Sequence, residues 1–217
     1  MNKTDKWLND RIGVFSASQI HRLLVSGKKK DEMFGDTAMS YIFEIIGGMF
    51  TGESKPKVSS KAIEWGNDHE AEAIEAYTEL TGRKVTYFGK ENPVFFQING
   101  IPAGGSPDAL IEDKRVIEVK CPYDSANHIE NCLMSVEDFK KIRKDYYAQV
   151  QLNMIATNVM VADFCSYDPR VINEAYRLKI LEVPFDKAFC DNMMMRIREA
   201  AMIRNEIYNR IVRQKAA

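Results

Sequence analysis

Asp108, Glu118 and Lys120 stand in the stretch GGSPDALIEDKRVIEVKCPY, residues 104–123, which otherwise reads as a pair of β-strands. Strand alternation puts Glu118 and Lys120 on one face with Val116, while Ile117 and Val119 point the other way. Asp108 lies ten residues before Glu118, with the turn Glu112-Asp113-Lys114 near the midpoint, so an antiparallel hairpin sets the two carboxylates across from each other. Glu118-Val119-Lys120 alone is compatible with an ordinary half-exposed strand. The opposed Asp108 is what argues for chemistry. Two facing carboxylates repel unless a cation lies between them, and oxygen donors of this kind suit Mg2+ or Mn2+. A lysine two residues on can orient an attacking water or stabilise charge developing at phosphorus. Gly104, Gly105 and Pro107 fix the backbone ahead of Asp108 and leave room for a substrate. Metal-dependent phosphodiester hydrolysis accounts for these residues better than a surface hairpin does.

A further acid stands out on a helix expected over Lys61–Thr81, with Ser59-Ser60 before it and Gly82 after it. Its apolar stripe includes Ile63, Ile74 and Tyr77, and Glu70 falls on the same stripe. A core-facing acid is costly unless it is paired or bound to a cation. Glu72 and Glu75 make the helix rich in acids, so a rim position accounts for Glu70 equally well.

The surrounding elements follow from periodicity and caps. Short helices are expected over Asp5–Asp10 and from Ser18 to Val25, the latter capped by Ser16 or Ser18. A basic loop follows over 26–36, then a helix over Thr37–Phe50 that stops near Gly47-Gly48 and Gly52. Strands are expected over Lys84–Phe88, Val94–Ile98, Ser106–Ile111 and Arg115–Lys120. A helix over Lys141–Thr157 leads to strands over Val159–Tyr167 and Tyr176–Val183, the last closed by Pro184. Asp186 caps a long final helix over about 186–214. Helices flanking a central run of strands indicate an α/β (α+β) core with a mixed sheet, in a single domain over 1–217.

With 45% hydrophobic and 28% charged residues among 217, the composition is that of a soluble globular protein. No apolar run approaches the roughly 18 residues that span a bilayer, and the N-terminal MNKTDKWLNDR has no signal-peptide core. Four scattered cysteines without CxxC spacing argue against a zinc site or a disulfide framework. A cytoplasmic protein is expected. The net charge of −1 excludes a uniformly basic coat, although basic clusters occur at Lys28-Lys29-Lys30, at 140–144 and between Arg196 and Lys215.

Ser106-Pro-Asp108, ten residues to Glu118 and then Val119-Lys120, resembles the PD-(D/E)xK nuclease motif. A longer ordered series resembles the phage lambda exonuclease family of YqaJ-type viral recombinase nucleases. Its pieces are Arg11-Ile-Gly-Val-Phe-Ser-Ala-Ser18, Met39-Ser-Tyr41, Trp65-Gly66 through Glu70, Ser106-Pro-Asp-Ala109, Glu118-Val-Lys-Cys-Pro122, Tyr146-Tyr-Ala-Gln149-Val-Gln151 and Tyr167-Asp-Pro-Arg170. The resemblance covers about residues 7 to 185.

It implies a PD-(D/E)xK core and 5′-to-3′ digestion of one strand of linear duplex DNA, leaving a 3′ single strand for an annealing protein. It implies two Mg2+ ions, with Asp108, Glu118 and the Val119 carbonyl as ligands and Glu70 near the second ion, and with Mn2+ able to substitute. Lys120 would position the water and Gln149 would stand beside the site. Arg11 and Ser18 would grip a terminal 5′-phosphate, with Trp7 and Ser106 close by and Lys28 and Lys29 as DNA contacts. A homo-oligomeric trimeric ring is implied as well. Two alternatives remain open: a structure-specific or restriction-type endonuclease on the same fold, and a non-catalytic DNA-end-binding module. The intact Asp108, Glu118 and Lys120 speak against the second.

Overall fold

The computed structural model describes residues 2–29, 32–54, 60–112 and 114–216. Among these residues eight strands form two sheets. The strands are β1 (Phe15–Ser16), β2 (Thr86–Tyr87), β3 (Phe96–Gln97), β4 (Ala103–Gly105), β5 (Ala109–Ile111), β6 (Arg115–Lys120), β7 (Val161–Tyr167) and β8 (Leu178–Pro184). A five-stranded sheet has the order β2-β5-β6-β7-β8, and a small one has the order β1-β4-β3. In the larger sheet only β6 and β7 run parallel; the other neighbours are antiparallel.

The helices are α1 (Lys3–Asn9), α2 (Asp36–Thr51), α3 (Lys61–Thr81), α4 (Ser125–Leu133), α5 (Val136–Ile142), α6 (Lys144–Thr157) and α7 (Lys187–Ala216), with 3-10 turns at Ala17–Leu24 and Glu174–Tyr176. α3 covers one face of the larger sheet, and α6 with α4 and α5 covers the other, as the strand alternation requires. Ile117 and Val119 point to α3, where Ala73, Ile74 and Tyr77 bury them. Val116, Leu110 and Phe164 point to α6, against Tyr147, Val150 and Met154. Each large apolar side chain fully buried here contributes about 1.5–3 kcal/mol. A third cluster packs α2, α7 and the first 3-10 turn against Ala148 and Leu152 on the back of α6. α6 is therefore sandwiched, which fixes its register against β6.

The mixed α/β core with helices on both faces is the one expected, with differences in detail. The expected single run of strands is split in two, because β3 leaves it to join β4 and β1. β4 was not expected: Ala103-Gly104-Gly105 has no branched or aromatic side chain to mark a strand. The second helix is a 3-10 turn, and Ser16 at its start makes no side-chain cap bond. α2 runs through Gly47-Gly48 and stops at Gly52, whose φ of 71° ends the helix. The helix expected over Lys141–Thr157 is broken at Arg143 (φ −106°, ψ 55°). α5 starts earlier on a capping box between Ser135 and Asp138. Ile63 is 48% exposed, because the first turns of α3 reach beyond the sheet to line a cleft. Ser60 caps α3 by accepting from the Ile63 N–H at 3.3 Å. Ser59, Asp113, Lys30 and Asp31 lie outside the described residues.

Candidate active site

The hairpin register is Ala109↔Ile117 and Leu110↔Val116, which carries Asp108 opposite Glu118 where the pairing ends. The Asp108 N–H donates to the Ile117 carbonyl at 3.2 Å, and the Val119 N–H donates to Asp108 Oδ2 at 2.6 Å. Asp108 is thus tied to the strand that bears Glu118. Glu118 is 1% exposed. Its Oε1 accepts from Lys120 Nζ and from Gln149 Nε2, both at 2.5 Å. Its Oε2 accepts from Asn153 Nδ2 at 3.0 Å. Gln149 and Asn153 lie one turn apart on α6, so both amides face the sheet on the Glu118 side. Lys120 Nζ also lies 5.1 Å from the centroid of the Tyr146 ring.

Glu70 enters from α3, where Tyr87 on β2 donates to its Oε1 at 2.9 Å. Burial, and next the charge of Asp108, push the Glu70 carboxyl up to about 7. The same two causes push Glu118 up to about 8, against the opposing pull of Lys120. Burial likewise raises Asp108. Burial alone would lower Lys120, but Glu118 and Asp108 outweigh it and raise its pKa, so Lys120 is a cation at every physiological pH. Three acids thus face one lysine.

Among the described residues, no three Asp, Glu, His or Cys side chains converge closely enough to form a ready-made metal cage. The donor chemistry nevertheless fits a divalent cation. The carboxyls are oxygen donors, and each of the three is raised by burial, with Asp108 raising both glutamates, which is the mark of excess negative charge in a dry place.

A cleft of about 710 Å³ reaches Glu70 and Lys120, and is lined also by Val119, Tyr123, Arg143 and Tyr146, with Asp108 and Glu118 behind its wall. A separate pocket of about 300 Å³ lies between the segment that follows α1, the first 3-10 turn and α2. Arg11, Ser16, Ser18 and Tyr41 line it. Ser16 Oγ lies 3.4 Å from both Ser18 Oγ and the Tyr41 hydroxyl, and Tyr41 accepts from the Ser16 N–H at 2.9 Å. The Arg11 guanidinium stacks over Trp7 at 4.3 Å, and burial lowers its pKa. Trp7 Nε1 donates to Ser106 Oγ at 2.8 Å, so one bond links the helix beside this pocket to the segment leading into Asp108. Lys28 and Lys29 are exposed and line neither cavity; Lys29 pairs with Glu32 at 3.3 Å.

Sequence reasoning missed Asn153, Tyr87, Ser16 and Tyr41. Gln149 and Asn153, four apart on a mostly apolar helix, were the available signal for one of them. Tyr87 reaches Glu70 only through the pairing of β2 with β5, which no local pattern reveals.

In backbone architecture the chain is similar to an alkaline exonuclease from Laribacter hongkongensis, with a TM-score of 0.81 at 24% identity over 98% of each chain. That protein has also been solved in complex with dAMP. A phage-related exonuclease from Haemophilus somnus 129PT matches with a TM-score of 0.71 at 18% identity, over 93% of this chain and 96% of that one. These likenesses establish the fold. No curated protein matches the chain in sequence. The pattern of the YqaJ-like viral recombinase domain matches residues 6–160, well over half the molecule, and the chain belongs to that family.

Proposed function

We propose that the protein is a Mg2+-dependent exonuclease that digests one strand of linear duplex DNA from its 5′ end, leaving a 3′ single strand for recombination by strand annealing. The observation that carries this reading is the convergence of Asp108, Glu118 and Lys120 beside a cleft that Lys120 and Glu70 line. The family and the shared exonuclease fold support it. So does the dAMP bound to the Laribacter protein, a nucleotide of the kind that stepwise digestion of DNA releases.

Asp108, Glu118, the Val119 carbonyl and Glu70 would hold two Mg2+ ions, with Mn2+ able to substitute. A cation held there would acidify the attacking water and offset phosphate charge. Lys120, permanently protonated and aimed by Glu118, donates to the water or to a phosphate oxygen. Gln149 holds Glu118 in place. Arg11 offers a planar fork, and Ser18 a hydroxyl at the start of a helical turn, to the terminal 5′-phosphate. Trp7 and Ser106 brace Arg11 against the catalytic segment. Lys28 and Lys29 would meet the duplex farther out. The remainder of the reading is a trimeric ring, a single-strand annealing protein as partner, and a cytoplasmic setting in a bacterial or phage-infected cell. Among the described residues, no helix is long and apolar enough to cross a membrane.

The test is gel analysis of end-labelled linear duplex with Mg2+. Linear DNA with a 5′-phosphate should be digested from that end, closed circular duplex should survive, and Asp108→Ala should abolish digestion. Cutting of the circle would place the protein among endonucleases. Binding without any divalent-ion-dependent product would make it an end-binding module.

A further inference from the structure

A carboxylate that is to act at one oxygen must be prevented from turning. Lys120 and Gln149 both address Glu118 Oε1, which leaves rotation about the terminal torsion to be stopped at Oε2. The group that does so is Asn153 Nδ2, at 3.0 Å. Asn153 is 1% exposed and sits between apolar neighbours Leu152 and Met154 on the sandwiched helix α6.

Its other amide atom exposes the cost of this arrangement. Asn153 Oδ1 is buried and has no hydrogen-bond partner among the described residues. It lies over Gly105 so closely that a Cβ there would come within 1.9 Å of Oδ1 and 3.1 Å of Ala17 Cβ. A buried amide with one end unsatisfied is unfavourable compared with an apolar side chain of similar size, so fold stability alone does not explain an asparagine here. Its donor to Glu118 does.

We propose that Asn153 is a positioning residue for the hydrolytic site. It locks the plane of the Glu118 carboxylate through Oε2, and Gly105 is the glycine that makes room for its amide. The inference rests on the reading of Asp108, Glu118 and Lys120 as a hydrolytic site. Gly105 lies three residues before Asp108, so the packing that admits Asn153 also sets the approach of the other acid. One contact thereby couples the two halves of the site. Outer partners of this kind typically change metal affinity or activity by about 10–100-fold when removed.

The experiment uses the full chain and four variants: Asn153→Ala, Asn153→Leu, Gly105→Ala and the double variant of Asn153→Ala with Gly105→Ala. Mn2+ binding is followed by calorimetry, folding by thermal midpoint, and hydrolysis of linear duplex by saturating rate and KM. Asn153→Ala should weaken Mn2+ binding and lower the saturating rate, each by about 10-fold, while KM for DNA stays within about two-fold. Asn153→Leu, of similar size but without the donor, should lose as much, which guards against a cavity or folding defect in the alanine variant. Gly105→Ala should lower the thermal midpoint, and adding Asn153→Ala should recover the midpoint but not the Mn2+ affinity. Wild-type Mn2+ affinity in Asn153→Ala, or its return in the double variant, overturns the proposal. If wild-type protein neither binds Mn2+ nor hydrolyses DNA, the reading of the site itself falls and the inference with it. If it does both and Asn153→Ala matches it, only the role of Asn153 falls.

Discussion

Lys120 sits between Glu118 Oε1 and the face of Tyr146, with Asp108 near enough to raise its pKa. A lysine held protonated cannot accept a proton from water, so its role is to donate and to carry charge. Such a group matters most where charge develops, and removal of one preorganised donor typically costs about 10²–10³ in rate. Lys120→Ala is therefore expected to lower the saturating rate of digestion by about 100-fold or more, with KM for linear duplex changed far less. Lys120→Arg should not rescue it, because a planar fork cannot occupy the place of a compact ammonium between Glu118 and Tyr146. Single-turnover rates measure this directly, and an arginine variant with near-normal rates would refute the point-charge role. Asp108, Glu118 and Lys120 could be read from the sequence because strand alternation and a short turn are local rules. Glu70 could not be separated from a rim acid, since its neighbours Asp108 and Tyr87 come from other elements.

At the scale of elements, α7 shows how much of a site is held by residues that carry no motif. Arg196 Nε donates to the Leu23 carbonyl at 2.6 Å, and its Nη2 donates to the Met33 carbonyl, which ties down both sides of the basic loop. Arg204 Nη1 donates to the carbonyl of Gly13, where a φ of 74° turns the chain from α1 into the pocket lined by Arg11 and Ser18. Burial lowers the pKa of both arginines. Arg204→Leu is expected to cost about 1–3 kcal/mol of stability by leaving the Gly13 carbonyl unpaired. It should also weaken the preference for 5′-phosphate over 5′-hydroxyl ends, because Gly13 and Arg11 share one turn, closed by the Val14 N–H donating to the Arg11 carbonyl. Thermal unfolding and paired-substrate assays check the two effects, and a loss of stability with an unchanged end preference would separate the helix from the pocket. Sequence located α3, β6 and α7, which have strong periodicity or clear caps. It did not locate β1 and β4, whose few residues owe their strand geometry to each other and to β3. Nor did it show the break at Arg143, where the guanidinium bonds Asn127, Glu130 and Asn131 of α4.

Across the whole molecule, buried acids fall into two kinds, and the difference governs stability. Burial alone would raise Asp168, but hydrogen bonds from Arg170 hold it at about 2. Among the described residues no arginine bonds Glu118 or Glu70, and burial together with Asp108 raises them to about 8 and about 7. A carboxyl with a raised folded-state pKa binds more protons folded than unfolded. Its contribution is complete below the unfolded value of 4.5 and is lost as pH rises through the folded value. Asp168 has the opposite sign, but its window lies below 3.8, outside this range. His21 opposes the glutamates, because burial lowers its pKa from 6.5, so it adds stability as pH rises. A comparison with Glu118→Gln cancels His21. Without divalent cations, the variant and wild type should melt close together near about pH 5, and the variant should melt higher near about pH 8, because only wild type must ionise a buried acid there. With Mg2+ at the higher pH the order should reverse, since a ligand that binds only the folded wild type raises its midpoint by mass action. Parallel melting curves across that range, with no response to Mg2+, would show that Glu118 is neither the strained acid nor a cation ligand.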